Sequence, residues 1–349
     1  MTAGPHILWV DELGDAELGC AGAKIARLGE LRRCGVVVPD GFVVTTDAFV
    51  RFLAETGTGD RVDAVIMAAG ADAIAAAARR ARELIEQTAV PTAIAETIVD
   101  AYEELSFRQR DLNVPVAVRS SATGEDAADA SFAGQFDTYL GVTGAERLID
   151  AVRRCWASLF TERAVGYRKA KGLDHRTSPM AVGVLKLVHA LASGVAFSIH
   201  PVSGNRTRMV IEGSWGWGEA VVQGLVTPDH VEVGKSDRRV LEYVVADKAV
   251  VSTFDYAHGL VVEREMPRRL RRERILDDDG LAAIVDAVLA IEARYGHPVD
   301  VEWVLDRHRR VGEPVTIVQT RPVTVTDEVA AAPTWNPVAY ATRYAFSRK

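Results

Sequence analysis

Cysteine is scarce: three occur in 349 residues, Cys20, Cys34 and Cys155, with no CxxC pair. An odd, scattered set excludes a disulfide framework and a tetrathiolate zinc site, and the expected compartment is a reducing cytoplasm. No run approaches 18 uncharged apolar residues, so no membrane-spanning helix is expected. After Met1 the apolar segment Ile7-Leu8-Trp9-Val10 stops at Asp11-Glu12, too early for a secretory leader. Excess positive charge is also missing. Forty-one Lys and Arg against 48 Asp and Glu give a net charge of -7, which argues against a nucleic-acid partner. What remains is 48% hydrophobic and 26% charged, enough to bury a large core at a length that allows two domains or two lobes.

Apolar spacing outlines a mixed α/β (α+β) chain. Ile7–Val10 reads as a strand, Gly22–Leu31 as a helix, and Phe42–Thr45 as a strand after Pro39 and Gly41. Asp60–Leu105 is helical and alanine-rich, with Pro91 starting a second helix. Val114–Ser121 is a strand, followed by a loop of small and acidic residues and one helix over Ala145–Lys171. Strands follow at Ala181–Val188, Ser193–Ile199 and Arg208–Glu212. A late helix is expected with Asp279 as its N-cap, stopped by Gly296 and Pro298. Val299–Leu305 and Val315–Val323 close the pattern. The expected division is 1–185, 186–326 and a tail or docking segment, 327–349.

Three clusters could carry chemistry. In Gly19-Cys20-Ala21-Gly22-Ala23-Lys24 the P-loop spacing fails. A glycine turn entering a helix still offers backbone N–H groups and a Lys charge to phosphate; a plain helix entry with a solvated Lys is the alternative. In Val116–Asp126, Arg119 stands inside an apolar strand and needs an anionic partner, either phosphate or a structural carboxylate. The small residues Asp129–Gln135 would let backbone approach a ligand. In the third cluster, strand alternation puts Gln319 and Arg321 on one face, beside a strand bearing Asp300 and Glu302. These are hard oxygen donors suited to Mg2+ with an Arg for phosphate, or else a salt-bridged hairpin face. The Arg268–Arg274 run reads as a solvated face, with partner docking as the lesser reading.

The ordered segments GAKIARLGEL…GVVVPDGFVVTTDAF, VAVRSSATGEDAADASFAGQFDTYLGV, ASGVAFSIHPVSG, VIEGSWGWGEAVVQGLVTPD and DVEWV…IVQTRPV resemble the nucleotide-binding domain of the phosphoenolpyruvate synthase and pyruvate phosphate dikinase family, which rifampin phosphotransferases share. The resemblance covers roughly residues 8–325. It implies a two-lobed ATP-grasp fold closing over ATP and Mg2+. Lys24 and Arg119 then match phosphate-holding positions, and Ser131 to Gly134 match the loop over the β- and γ-phosphates. Lys186, Leu187 and Val188 match the hinge whose backbone reads the adenine edge. Glu302 and Gln319 match the Mg2+ ligands and Arg321 the terminal-phosphate contact. Glu212 and Glu219 lie in matching motifs, where contact with ligand and bracing of the lobe stay open.

Three places depart from the family pattern, the third being the longer segment between Glu302 and Gln319. Leu185 stands where the hinge usually has Gln, and Ala127-Ala128 where the lid usually has Leu-Pro. The segment Asp306–Pro314 reads as an extended hairpin tip. None of the eight histidines sits in the glycine- and threonine-rich phosphohistidine motif of full-length members. His200 reads as part of a turn, and His175, His189, His230 and His308 as surface or packing residues. The expected function is the ATP-binding subunit of a split dikinase. It would cleave ATP to AMP and Pi and pass a phosphoryl group to a His on a separate swivelling subunit. That subunit would phosphorylate a small acceptor, a phenol or cresol, bound mainly elsewhere, as in phenylphosphate synthases. The alternatives are part of a phosphoenolpyruvate synthase or rifampin-phosphotransferase-like enzyme, and an ATP-sensing module without turnover.

Overall fold

Alternation in the strand Val116–Ala122 sets the architecture of the first half of the chain. Its Val116 and Val118 are fully buried on one face, and the half-buried Arg119 and the buried Ser121 occupy the other. The computed structural model describes residues 5–122, 137–171, 179–218, 221, 226–255 and 258–323. These fall into two units, one of residues 5–30 and 40–187, the other of 31–39 and 188–323.

The first unit is built on a five-stranded antiparallel sheet of β1 (Ile7–Trp9), β2 (Gly41–Val44), β3 (Val116–Ala122), β4 (Thr138–Val142) and β5 (Met180–Lys186). The strand order is β1-β2-β5-β3-β4. Its helices are α1 (Leu18–Arg33), α2 (Thr46–Glu55), α3 (Thr58–Ala68), α4 (Ile74–Glu86), α5 (Thr92–Arg108), α6 (Ala145–Ser158) and α7 (Glu162–Lys171). Val116, Val118, Val182 and Val184 of the sheet join Phe52, Ile85, Ile98 and Trp156 of the helices in one buried cluster. Trp156 stacks on Phe52 with ring centroids 5.0 Å apart.

Two helical expectations change. Asp60–Leu105 divides into α3, α4 and α5, with Pro91 at the N-cap of α5. Ala145–Lys171 is two helices rather than one. Leu159 and Phe160 turn into the core at 1% exposure each, and Thr161 Oγ1 accepts the Ala164 N–H at 3.2 Å to start α7.

The second unit carries β6 (Ala190–Phe197), β7 (Arg208–Trp215), β8 (Asp229–Gly234) and β9 (Val240–Val244), with the pair β10 (Val250–Asp255) and β11 (Leu260–Glu265). α8 (Asp278–Tyr295), β12 (Val299–Asp306) and β13 (Thr316–Pro322) complete it. Six strands form one antiparallel sheet in the order β13-β12-β6-β7-β8-β9, and β10 and β11 pair separately. α8 packs on β12 and β6, with Ile284, Val288 and Ile291 fully buried, as are Val301 and Trp303. Asp277, not Asp279, is the N-cap: its Oδ1 accepts the Gly280 N–H at 2.7 Å. Asp279 instead clasps the β12–β13 hairpin tip, accepting from Arg309 Nη1 at 2.6 Å and from the Gly312 N–H at 3.0 Å.

Candidate functional site

In the first unit the glycine turn and the arginine strand meet at Ser121. Gly22 breaks α1 with φ 69° and ψ 156°, a backbone conformation closed to side chains, and the helix resumes after it. A Cβ at Gly22 would lie 2.2 Å from the Ser121 carbonyl oxygen. The Ile25 N–H donates to Ser121 Oγ at 3.4 Å, so Lys24 stands in the first turn of the resumed helix, docked at the end of β3. First-turn N–H groups lack intrahelical partners and, with the dipole and a lysine, favour an anion. Arg119 lies two residues earlier on β3, on the Ser121 face, opposite Gly183 of β5 and Thr138 of β4. Lys24 is also within electrostatic reach of Cys155 on α6. Burial and Asp137 push that thiol far up, and the Lys24 charge opposes them.

Lys186 and Leu187 end the first unit, and Val188 begins the second. Two backbone N–H groups of this stretch are bonded within the protein: Lys186 donates to the Asp40 carbonyl at 2.7 Å and Leu187 to that of Pro115 at 2.8 Å. The Val188 carbonyl accepts Trp217 Nε1 at 3.0 Å. Of the three residues expected to form the adenine hinge, Lys186 and Leu187 thus have their N–H groups bonded to protein carbonyls. Leu185 is buried in β5 and paired with Ala117 and Gly41.

In the second unit the acidic and basic residues fall directly opposite one another. The β12–β13 register pairs Asp300 with Arg321 and Glu302 with Gln319. Arg321 Nε lies 3.1 Å from Asp300 Oδ2, and Nη2 3.9 Å from Glu302 Oε1. Burial pushes the Asp300 carboxyl up to about 6, against Arg321 and with the Glu302 charge. Asp300 Oδ1 is buried with no hydrogen-bond partner among the described residues.

The same row runs on through Val195 and Glu212 to His230. Two strand spacings, roughly 10 Å, separate the Glu212 and Glu302 backbones. Glu212 is engaged elsewhere: it is 3% exposed, with Oε1 3.1 Å from His230 Nδ1, and burial raises its pKa. Glu232 follows on the same face. Burial pushes it up, but the Arg208 hydrogen bond at 2.7 Å and the nearby His200, Arg208 and His230 outweigh that, so it lies below the usual range.

No group of three or more His, Cys, Asp or Glu among the described residues has the geometry of a metal cage. The Glu302 carboxylate facing the Gln319 amide, beside the unpartnered Asp300 oxygen, does fit Mg2+, which keeps waters and phosphate oxygens as its other ligands. Ser131, Gly134, Ala127, Ala128, His175 and Glu219 lie outside the described residues.

Sequence reasoning missed three partnerships. Asp229 and Lys248 form a fully buried ion pair at 2.5 Å, and Asp229 also accepts the Ala246 and Ile275 N–H groups. The one signal was Lys248, set with Asp247 between the apolar residues Val244–Ala246 and Ala249–Val251. His230, read without a partner, is buried against Glu212. The Trp217 indole N–H donates to the Val188 carbonyl, and its glycine-flanked position gave no hint of that. The Arg268–Arg274 run is partly held rather than simply solvated: Arg271 reaches Glu265, Arg272 reaches Asp247, and Arg274 lies over the Tyr243 ring. His200 does serve its turn, with Nδ1 accepting the Val202 and Ser203 N–H groups.

Antiparallel sheets in two units, with an anion-favouring helix entry in one and an acid, amide and arginine hairpin in the other, define an α+β, ATP-grasp-like nucleotide-binding protein. Residues 18–338 match the pyruvate phosphate dikinase AMP/ATP-binding domain, and the chain belongs to that family. It is 40% identical, over 93% of its length, to a probable phosphoenolpyruvate synthase of Methanothermobacter thermautotrophicus, of which it covers 46%. It is 37% identical over 91% of its length to the phosphoenolpyruvate synthase of Aeropyrum pernix, covering 42% of that protein. A rifampicin phosphotransferase from a Streptomyces species is 41% identical over 90% of this chain, with 35% of that protein covered. The chain thus spans less than half the length of these curated relatives.

Proposed function

We propose that this chain is the ATP-binding part of a dikinase of the phosphoenolpyruvate synthase or rifampicin phosphotransferase kind. ATP would be cleaved to AMP, with one phosphoryl group passing to a histidine carried outside this sequence and then to a small acceptor, and the other taken by water and released as Pi. The observation that carries the reading is the facing pairs Glu302–Gln319 and Asp300–Arg321 in a chain of an AMP/ATP-binding family. Glu302 and Gln319 would hold Mg2+, which supplies charge neutralisation on phosphate oxygens when bound. Lys24, at its helix entry, and Arg119 would orient the triphosphate. Arg321, now held by Asp300, would turn its guanidinium to the terminal phosphate. Positioning and preorganised charge are what phosphoryl transfer asks of a protein.

The three relatives are named for phosphoenolpyruvate synthesis and for rifampicin, and none of the three is named for a phenol. The acceptor reading therefore moves from a phenol or cresol to these two classes. A separate, histidine-bearing swivelling subunit remains the proposed partner. The test is the full chain with Mg2+ and labelled ATP, alone and then with a phosphohistidine domain of a relative, offering pyruvate, rifampicin or phenol. We expect ATP binding by the chain alone, and AMP with a phosphorylated acceptor only after the domain is added. Failure to bind ATP would overturn the reading, and rapid phenyl phosphate formation by the chain alone would overturn both the acceptor and the split.

A further inference from the structure

The part of α1 that resumes after its break begins at a residue unable to cap it. Gly22 holds the N-cap position of residues 23–33 and has no side chain to offer the first-turn N–H groups. The missing oxygen comes from another strand. Ser121 Oγ, near the end of β3, accepts the Ile25 N–H at 3.4 Å from 96 residues away. Ile25 is the third residue of the resumed helix, the position that a capping serine ordinarily serves. Gly22 packs directly on its surrogate: a Cβ there would lie 2.2 Å from the Ser121 carbonyl oxygen and 2.3 Å from Oγ.

Ile25 is docked a second time, through its side chain. It is buried, and its Cδ1 fills the space that a side chain at Gly183 of β5 would need, since a Cβ there would lie 2.3 Å from it. Gly183 pairs with Arg119 across the β3–β5 ladder, and Arg119 stands two residues before Ser121 on the same face of β3. One strand repeat, about 7 Å, therefore separates the position that carries the arginine from the one that holds the helix entry. Any shift of Ile25 off this double anchor moves the adjacent Lys24 relative to Arg119.

We propose that Ser121 is a positioning residue for phosphate binding, capping the Lys24 helix from β3 so that Lys24 and Arg119 address one polyphosphate. This rests on the reading of Lys24 and Arg119 as triphosphate contacts. Ser121 acts through Lys24: its hydroxyl oxygen fixes the turn that carries the lysine, and the strand it stands on carries the arginine. Gly22 and Gly183 serve the same docking by leaving room for it.

Equilibrium dialysis of the full chain with Mg2+ and inorganic tripolyphosphate tests it. Ser121→Ala removes the capping oxygen and little else, and affinity should fall about fivefold to tenfold, the scale of one hydrogen bond. In a Lys24→Gln background the same change should cost less than about twofold, because the group it positions is gone. An unchanged affinity, or the full loss repeated in the Lys24→Gln background, would overturn the role of Ser121. Wild type that binds no tripolyphosphate would instead overturn the reading of Lys24 and Arg119 beneath it. Should Ser121→Ala not fold, Ile25→Val decides, since it shortens the side chain seated at Gly183 at a modest cost to the core. A loss of about twofold or more that disappears in the Lys24→Gln background is expected, and no loss, or one that persists there, overturns the proposal.

Discussion

Arg119 and Glu302 are each held on a strand by ladder pairing on both sides, so the backbone that holds them does not depend on their side chains. Arg119→Ala and Glu302→Ala are expected to stay folded by circular dichroism. With the phosphohistidine domain added, and on the proposed function, phosphoryl transfer should fall by about 10²–10³ in each, the usual effect of losing one preorganised charge or donor. Asp300 gives a pH signature in the nucleotide-free protein. Its carboxyl is raised to about 6 from an ordinary 3.8, mainly by burial. Between those values the folded state holds a proton that the unfolded state has released, so this group's contribution to stability falls as pH rises and is level above about 6. Denaturant midpoints of wild type and Asp300→Asn should therefore diverge from pH 4 to 6, in favour of the variant by on the order of 3 kcal/mol. A pH-independent difference would contradict the burial argument.

At the scale of elements, the late helix was legible because two signals agree there. Apolar residues at 281, 284, 285 and 288 mark one face, and Gly296 supplies the left-handed C-cap at φ 72°. Its start was not, because three aspartates, 277 to 279, are equivalent as sequence. Only the chain path decides that Asp277 meets the Gly280 N–H while Asp279 reaches the hairpin tip. Asp277→Ala is expected to cost about 1 kcal/mol in urea denaturation, the usual worth of an N-cap. The expected single helix over 145–171 is two helices for a similar reason. Leu159 and Phe160 continue the apolar stripe, and their turn into the core is a tertiary preference overriding helical spacing.

Over the whole molecule, residue order determined the α+β class, the family and the facing of Asp300 and Glu302 toward Arg321 and Gln319. Strand alternation and uninterrupted motifs are local properties, and a hairpin carries them without help from distant chain. Among the described residues no helix is long and apolar enough to cross a membrane, which the absence of long apolar runs had implied. Tertiary structure alone decided which polar groups are already occupied. The backbone N–H groups of Lys186 and Leu187 go to Asp40 and Pro115, distant in sequence. Glu212 meets His230, Lys248 is buried against Asp229, and Trp217 reaches back 29 residues to Val188. Each partnership joins residues on different strands or loops whose separation along the chain has no period. Burial then makes each pairing obligatory, because an unpaired polar group out of water costs more than the ordering that pairs it.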